Sequence, residues 1–102
     1  MIVNEIDPAA GTATITLDAA QLRFIASALS VKINRAVQRN RSCARMAERY
    51  AAGDPRILED NEPFPERNER HIRMNNAAIT KGGGLLKEFD SLLTEFNDGS
   101  NL

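Results

Sequence analysis

Between Gly11 and Gly53 the chain runs without a glycine or proline, and no other stretch of its 102 residues constrains the fold as strongly. A run that long exceeds any ordinary strand, and without breakers it reads as one helix once something starts it. Asp18 supplies the start: it is an N-cap residue with Gln21 three positions on, the capping-box spacing. The pattern predicts helix 1 over 19–52. At about 100° per residue, Leu22, Ile25, Leu29, Ile33, Ala36, Cys43, Ala44, Ala47 and Tyr50 share one face, the expected core stripe.

Upstream, residues 1–17 read as a β-hairpin: two loosely alternating segments flank Asp7-Pro8-Ala9-Ala10-Gly11, which is turn chemistry. Downstream, 53–65 is an acidic connector with Pro55, Pro63 and Pro65, and a short turn of helix is expected from Asp54 to Glu59. Helix 2 is expected over 66–97, with 98–102 a frayed tail. Ile72 and Ile79 mark its apolar face before Gly82-Gly83-Gly84; after them Leu85, Leu86, Phe89, Leu92, Leu93 and Phe96 centre on a face turned by roughly 80° on the same wheel. The glycine triplet therefore reads as a kink or break, as a close helix contact, or as a phosphate-cradling turn without P-loop or GxGxxG spacing. The expected fold is mainly α: an N-terminal β-hairpin, then a long antiparallel two-helix hairpin whose second helix is kinked or broken at the glycines.

This length allows one domain, and aromatics make up only 5% of it, so the core is aliphatic and thin. A homo-oligomer is the expected remedy, with Leu85, Leu86, Phe89, Leu93 and Phe96 at the interface. The single cysteine, Cys43, precludes an internal disulfide. With no basic, apolar leader at the N-terminus, the expected location is the cytoplasm. No apolar run has the length of a membrane span.

Enzyme chemistry finds little support. His71 and Cys43 are each the only residue of their kind, so no Cys/His zinc spacing exists within one chain, and Cys43 lies on the core stripe. GxSxG, HExxH and EF-hand patterns are missing. Glu59, Asp60 and Glu62 read as a solvated charge run. The expectation is a non-enzymatic protein with no cofactor and no metal.

Charge is the informative part. A formal net charge of −1 hides blocks of −3 over 1–22, +6 over 23–49, −4 over 50–69, +4 over 70–87 and −4 over 88–102. On helix 1, Lys32, Arg35 and Arg39 border the core stripe, and Glu48 is the one acid among seven bases of that block. They read either as a solvated face that pairs with the acidic connector or as an anion site. Asn40 falls inside the helix 1 stripe, and Asn68, Asn75 and Asn76 fall on the apolar face of helix 2. Such amides either pair with each other and fix helix register, or present donor and acceptor to a base edge. Lys32, Arg35, Arg39 and Arg73 on phosphates, with Asn40, Asn75 and Asn76 near a base, make a nucleotide site. Net acidity and the scarcity of aromatics argue against a long nucleic acid.

In size and motif-poor character the chain is similar to short accessory proteins encoded by bacteriophages, including those that block host defences by sequestering nucleotide signals or by binding an effector protein. The functional expectation is thus a small binding protein for an anionic ligand such as a cyclic nucleotide. The alternative is an anti-defence, anti-CRISPR-like inhibitor that docks on a host protein without any small molecule.

Overall fold

The structure, a computed structural model, describes residues 1–57 and 62–100, the last three by backbone alone. Two antiparallel strands, β1 (Ile2–Asp7) and β2 (Thr12–Thr16), precede two long helices, α1 (Ala19–Ala51) and α2 (Phe64–Ser100). The chain is mainly α, with its helices paired antiparallel.

The ends of α1 are made by the residues that announce them. Asp18 Oδ1 accepts from the Gln21 amide at 2.8 Å, and Gln21 Oε1 accepts from the Asp18 amide at 3.1 Å, closing the capping box. At the other end Gly53 takes φ +77°, while the Asp54 amide donates to the Arg49 carbonyl and the Gly53 amide to that of Tyr50. This is a left-handed glycine stop that satisfies two of the last carbonyls. Asp54 then accepts from the Arg56 amide, and Ile57 N–H donates to the Asp54 carbonyl, so the connector opens on a turn. The expected extension of that turn to Glu59 lies outside the described residues.

Two boundaries differ from the sequence reading. α2 starts at Phe64 rather than 66, because the Pro63 carbonyl already accepts from Arg67 N–H, and Pro65 sits in the first turn, where its missing N–H has no intrahelical acceptor to lose. The expected tail is helical through Ser100; Asn101 and Leu102 lie outside the described residues.

The helices meet along a repeat of 3.5 residues rather than 3.6. On α1 the seam is Leu22, Ala26, Leu29, Ile33, Ala36, Asn40 and Cys43, alternating steps of four and three; each is buried or half-buried. On α2 the matching series is Asn68, Ile72, Asn75, Ile79, Gly82, Leu86, Phe89 and Leu93, likewise buried or half-buried. A helix pair that supercoils keeps such a series in one seam. The turned face expected after the glycines is thus a product of the straight-helix wheel: Ile72, Ile79, Leu86 and Leu93 recur every seventh residue across them. The expected stripe on α1 also shortens, since Ala44, Ala47 and Tyr50 are exposed while Ala26 is buried. Tyr50 stacks on Phe64, with ring centroids 4.7 Å apart, and closes the connector end of the seam.

The glycine triplet is helical throughout, so the expected break is not there. Gly82 is a close contact: a Cβ placed on it would lie 3.1 Å from Ile33 Cγ1. Gly83 and Gly84 face open space.

The hairpin stands apart from this pair, and neither strand packs against a helix. Its register pairs Val3 with Ile15 and Ile6 with Ala13, and the bulge between Val3 and Glu5 brings Val3 and Ile6 to one face. Thr12, Thr14 and Thr16 take the other with Glu5 and Asp7, and every strand residue is exposed. The whole measures 62 × 38 × 16 Å, a single layer of helices. No helix among the described residues is long and apolar enough to cross a membrane.

Gly84→Ala should raise stability by about 1 kcal/mol, the helix-propensity difference at an exposed interior site. Gly82→Ala should gain less, because Ile33 must give way, and Gly82→Val should lose about 1–3 kcal/mol through overpacking. Urea denaturation of the three variants checks the order; equal gains at Gly82 and Gly84 would contradict a close contact at Gly82.

Candidate functional site

The seven cations of α1 differ in their surroundings, and Arg23 and Arg41, like the three of the groove below, have no side-chain hydrogen-bond or ion-pair partner among the described residues. Arg49 lies in the last turn of the helix, where the dipole favours it, and Arg45 Nη2 donates to Ser42 Oγ at 3.1 Å. Lys32, Arg35 and Arg39 have no hydrogen-bond or ion-pair partner among the described residues. Together with Phe24, Ser27, Ala28 and Val31 they line an open groove of about 550 Å³ along one side of α1. The Phe24 ring is 77% exposed, on the face opposite the seam.

Two acid–base pairs form at the connector. Arg56 grips Asp54 through Nε and Nη2 at 3.0 and 2.8 Å, and that guanidinium, with the Arg56 backbone amide, pulls the Asp54 carboxyl from 3.8 to about 2. Arg70 Nη2 donates to Glu62 at 2.8 Å, which lowers the Glu62 carboxyl below its ordinary range and raises the Arg70 guanidinium. The acidic connector, as far as it is described, therefore pairs with Arg56 and Arg70, with Arg49 close enough to favour the Asp54 carboxylate, and not with Lys32, Arg35 or Arg39. Its Glu59 and Asp60 lie outside the described residues.

The amides are committed to each other. Asn40 Nδ2 donates to Asn76 Oδ1 at 2.8 Å, and Asn75 Nδ2 donates to Asn40 Oδ1 at 3.0 Å, with Asn75 only 9% exposed. Asn68 Nδ2 donates to the Cys43 carbonyl at 3.1 Å. This is the register-fixing reading of the asparagines. Asn40 thereby spends both donor and acceptor between the helices, Asn75 its donor and Asn76 its acceptor, and none of the three expected base-contacting asparagines lines the groove of Lys32, Arg35 and Arg39. Arg73 is exposed and shares no described groove with Lys32, Arg35 and Arg39, so the expected four-cation cluster is a three-cation one.

A second groove, of about 400 Å³, opens where Arg39, Ser42 and Cys43 of α1 meet His71, Met74 and Asn75 of α2. Arg39 is common to both grooves, which places them side by side. The Cys43 residue is buried at the base, and no group of three His, Cys, Asp or Glu side chains converges anywhere among the described residues. Of the expected interface residues, Leu86, Phe89 and Leu93 are half-buried in the helix pair, while Leu85 and Phe96 are exposed along with Leu92.

The sequence reading missed Phe24, Ser27, Ala28 and Val31. Phe24 and Val31, seven residues apart and off the core stripe, were the available signal: an apolar pair repeating on the solvent side of a helix. Comparison with protein-family models, with characterised proteins and with solved structures returned no match.

Asn40→Ala should cost about 1–3 kcal/mol, since it leaves the buried Asn75 donor without its acceptor. A fall of several degrees in Tm checks it, and an unchanged Tm would remove the amides from the account of register. The Asp54 titration gives a pH signature. Its folded pKa is depressed, so the Asp54–Arg56 contact contributes above about 3.8 and is lost as pH falls towards about 2. Carboxyl NMR titration should find that low midpoint, and Arg56→Ala should raise it part of the way towards the ordinary range, because the amide of residue 56 still donates to Asp54.

Proposed function

We propose that this chain is a non-enzymatic binding protein that captures a small phosphorylated ligand, a mononucleotide or cyclic nucleotide, against the outer groove of α1. The observation that carries the reading is the company kept by the free cations: Lys32, Arg35 and Arg39, without acidic partners among the described residues, share the groove with the exposed Phe24 ring and the Ser27 hydroxyl. Guanidinium forks grip phosphate oxygens, and an aromatic face beside them accepts a base by stacking. The groove volume lies within the range that small ligands occupy. The asparagines take no part in this binding.

A second reading has its own observation. The groove is lined by residues of α1 alone, whereas small-molecule sites enclose most of their ligand. An Arg-rimmed helix face bearing Phe24 and Val31 also suits an acidic protein surface, with no small molecule involved.

Calorimetry against mononucleotides, cyclic dinucleotides and cyclic trinucleotides separates the two. Under the first reading, Arg35→Ala or Arg39→Ala removes a charge-assisted contact of roughly 1.5–3 kcal/mol, a loss of about 10- to 150-fold in affinity, with folding unchanged. Arg39→Lys should weaken binding as well, because an ammonium does not replace a planar fork. Silence across the panel from folded, ligand-free protein would leave the protein-docking reading standing.

A further inference from the structure

The chain exposes more surface than its mass requires. Its 7831 Å² compares with about 5,700 Å² for a folded monomer of 11.2 kDa, an excess of about 2,100 Å². Its radius of gyration, 19.7 Å, compares with about 13 Å for a compact domain of this length. Among the described residues only Leu22, Ala26, Ala36, Cys43 and Phe64 form the buried apolar set. Obligate homodimers bury about 1,000–2,500 Å² per copy, the size of the excess.

One side of the helix layer is shaped to receive that cover. In an antiparallel pair, the positions just before the first seam residue of each heptad flank the same side on both helices. Here those positions are Ile25, Lys32 and Arg39 on α1 and His71, Ala78, Leu85 and Leu92 on α2; Arg39 and His71 line one groove together, as that placement requires. Leu85 and Leu92 are 47% and 43% exposed there.

Charge decides what lies over what. Stacking α1 on α1 would set Lys32, Arg35 and Arg39 against their own copies. On this side past the glycines α2 carries Glu88 and Glu95, while Asp90 lines a groove with Arg23 and Ser30 on the other side. We propose that two copies of this chain stack on this side as a four-helix bundle, α1 of each over α2 of the other, with a two-fold axis parallel to the helices.

The register agrees. Asn40 is level with Asn75 and Ile33 with Gly82, so seven residues further Ala26 is level with Phe89. The apolar half, Ile25, Ala28, Leu85 and Leu92, therefore meets its counterpart at the same height, and Lys32 lies five residues, about 7.5 Å along the axis, from the level of Glu88 of the second copy, a gap into which both side chains lean. Arg35 comes level with Lys81 of the second copy, a cation pair that the anion of the preceding proposal would neutralise. The dimer does not rest on that proposal.

Light scattering at about 100 μM should give twice the 11.2 kDa chain mass. Leu92→Asp should give 11.2 kDa with helical circular dichroism retained, because Leu92 flanks the intrachain seam. Lys32→Glu or Glu88→Lys should each weaken the dimer about 5-fold, and together they should restore it. A monomeric wild type overturns the proposal, as does a dimer that Leu92→Asp leaves intact, which would assign the contact to the hairpin. Strengthening by Lys32→Glu alone would show α1 over α1. All of these read mass and not ligand, so they stand or fall apart from the calorimetry.

Discussion

The bond set that joins Asn40 to Asn75 and Asn76 is the fixed point of this molecule. Two antiparallel helices with an aliphatic seam can slide past one another by a heptad with little loss of apolar contact. An amide that donates to one partner and accepts from another has a single position in which both bonds form. Once that position is taken, Ile33 falls on Gly82, the one place where a missing side chain accommodates it. Tyr50 likewise falls on Phe64 at the other end. The same register sets Arg39 of α1 beside His71 and Met74 of α2, so the second groove inherits its geometry from the amide contact, whereas the outer groove belongs to α1 alone.

The legible parts of the fold were those written in local chemistry. The capping box at Asp18, the stop at Gly53 and the turn after Asp7 depend on neighbours within a few positions, and each is where the sequence places it. The seam was harder to read because it depends on a partner. A straight-helix wheel drifts by about 20° per heptad against a supercoiled pair, and over the length of α2 that drift turned one continuous seam into two apparent faces. Gly82 then looked like a break. It is a contact residue, and only the identity of the residue opposite, Ile33, reveals that.

The site was half legible for a related reason. Uncompensated charge on α1 is a one-dimensional fact, and it led to Lys32, Arg35 and Arg39. Whether an asparagine on an apolar face meets a ligand or another asparagine is a three-dimensional one. Phe24 and Val31 escaped notice because they sit opposite the seam, where a search for core residues does not look. Arg70 illustrates the converse: it belongs to a basic block only until its acid, Glu62, is seen beside it.

The β-hairpin extends the same logic to association. Its bulge leaves Asn4 without a register partner, its side-chain amide donating instead to Thr16 Oγ1, and the return is alignment: Val3 and Ile6 join Ala13 and Ile15 on one side, with the threonines on the other. A two-stranded ribbon with such a face is marginal in water unless something covers it, and nothing in its own chain does. The helix pair, by contrast, holds its register through buried amides and a seam of its own. Order in this protein therefore has two tiers: a helical hairpin held by its own seam, and a strand pair that the described residues of the chain leave uncovered.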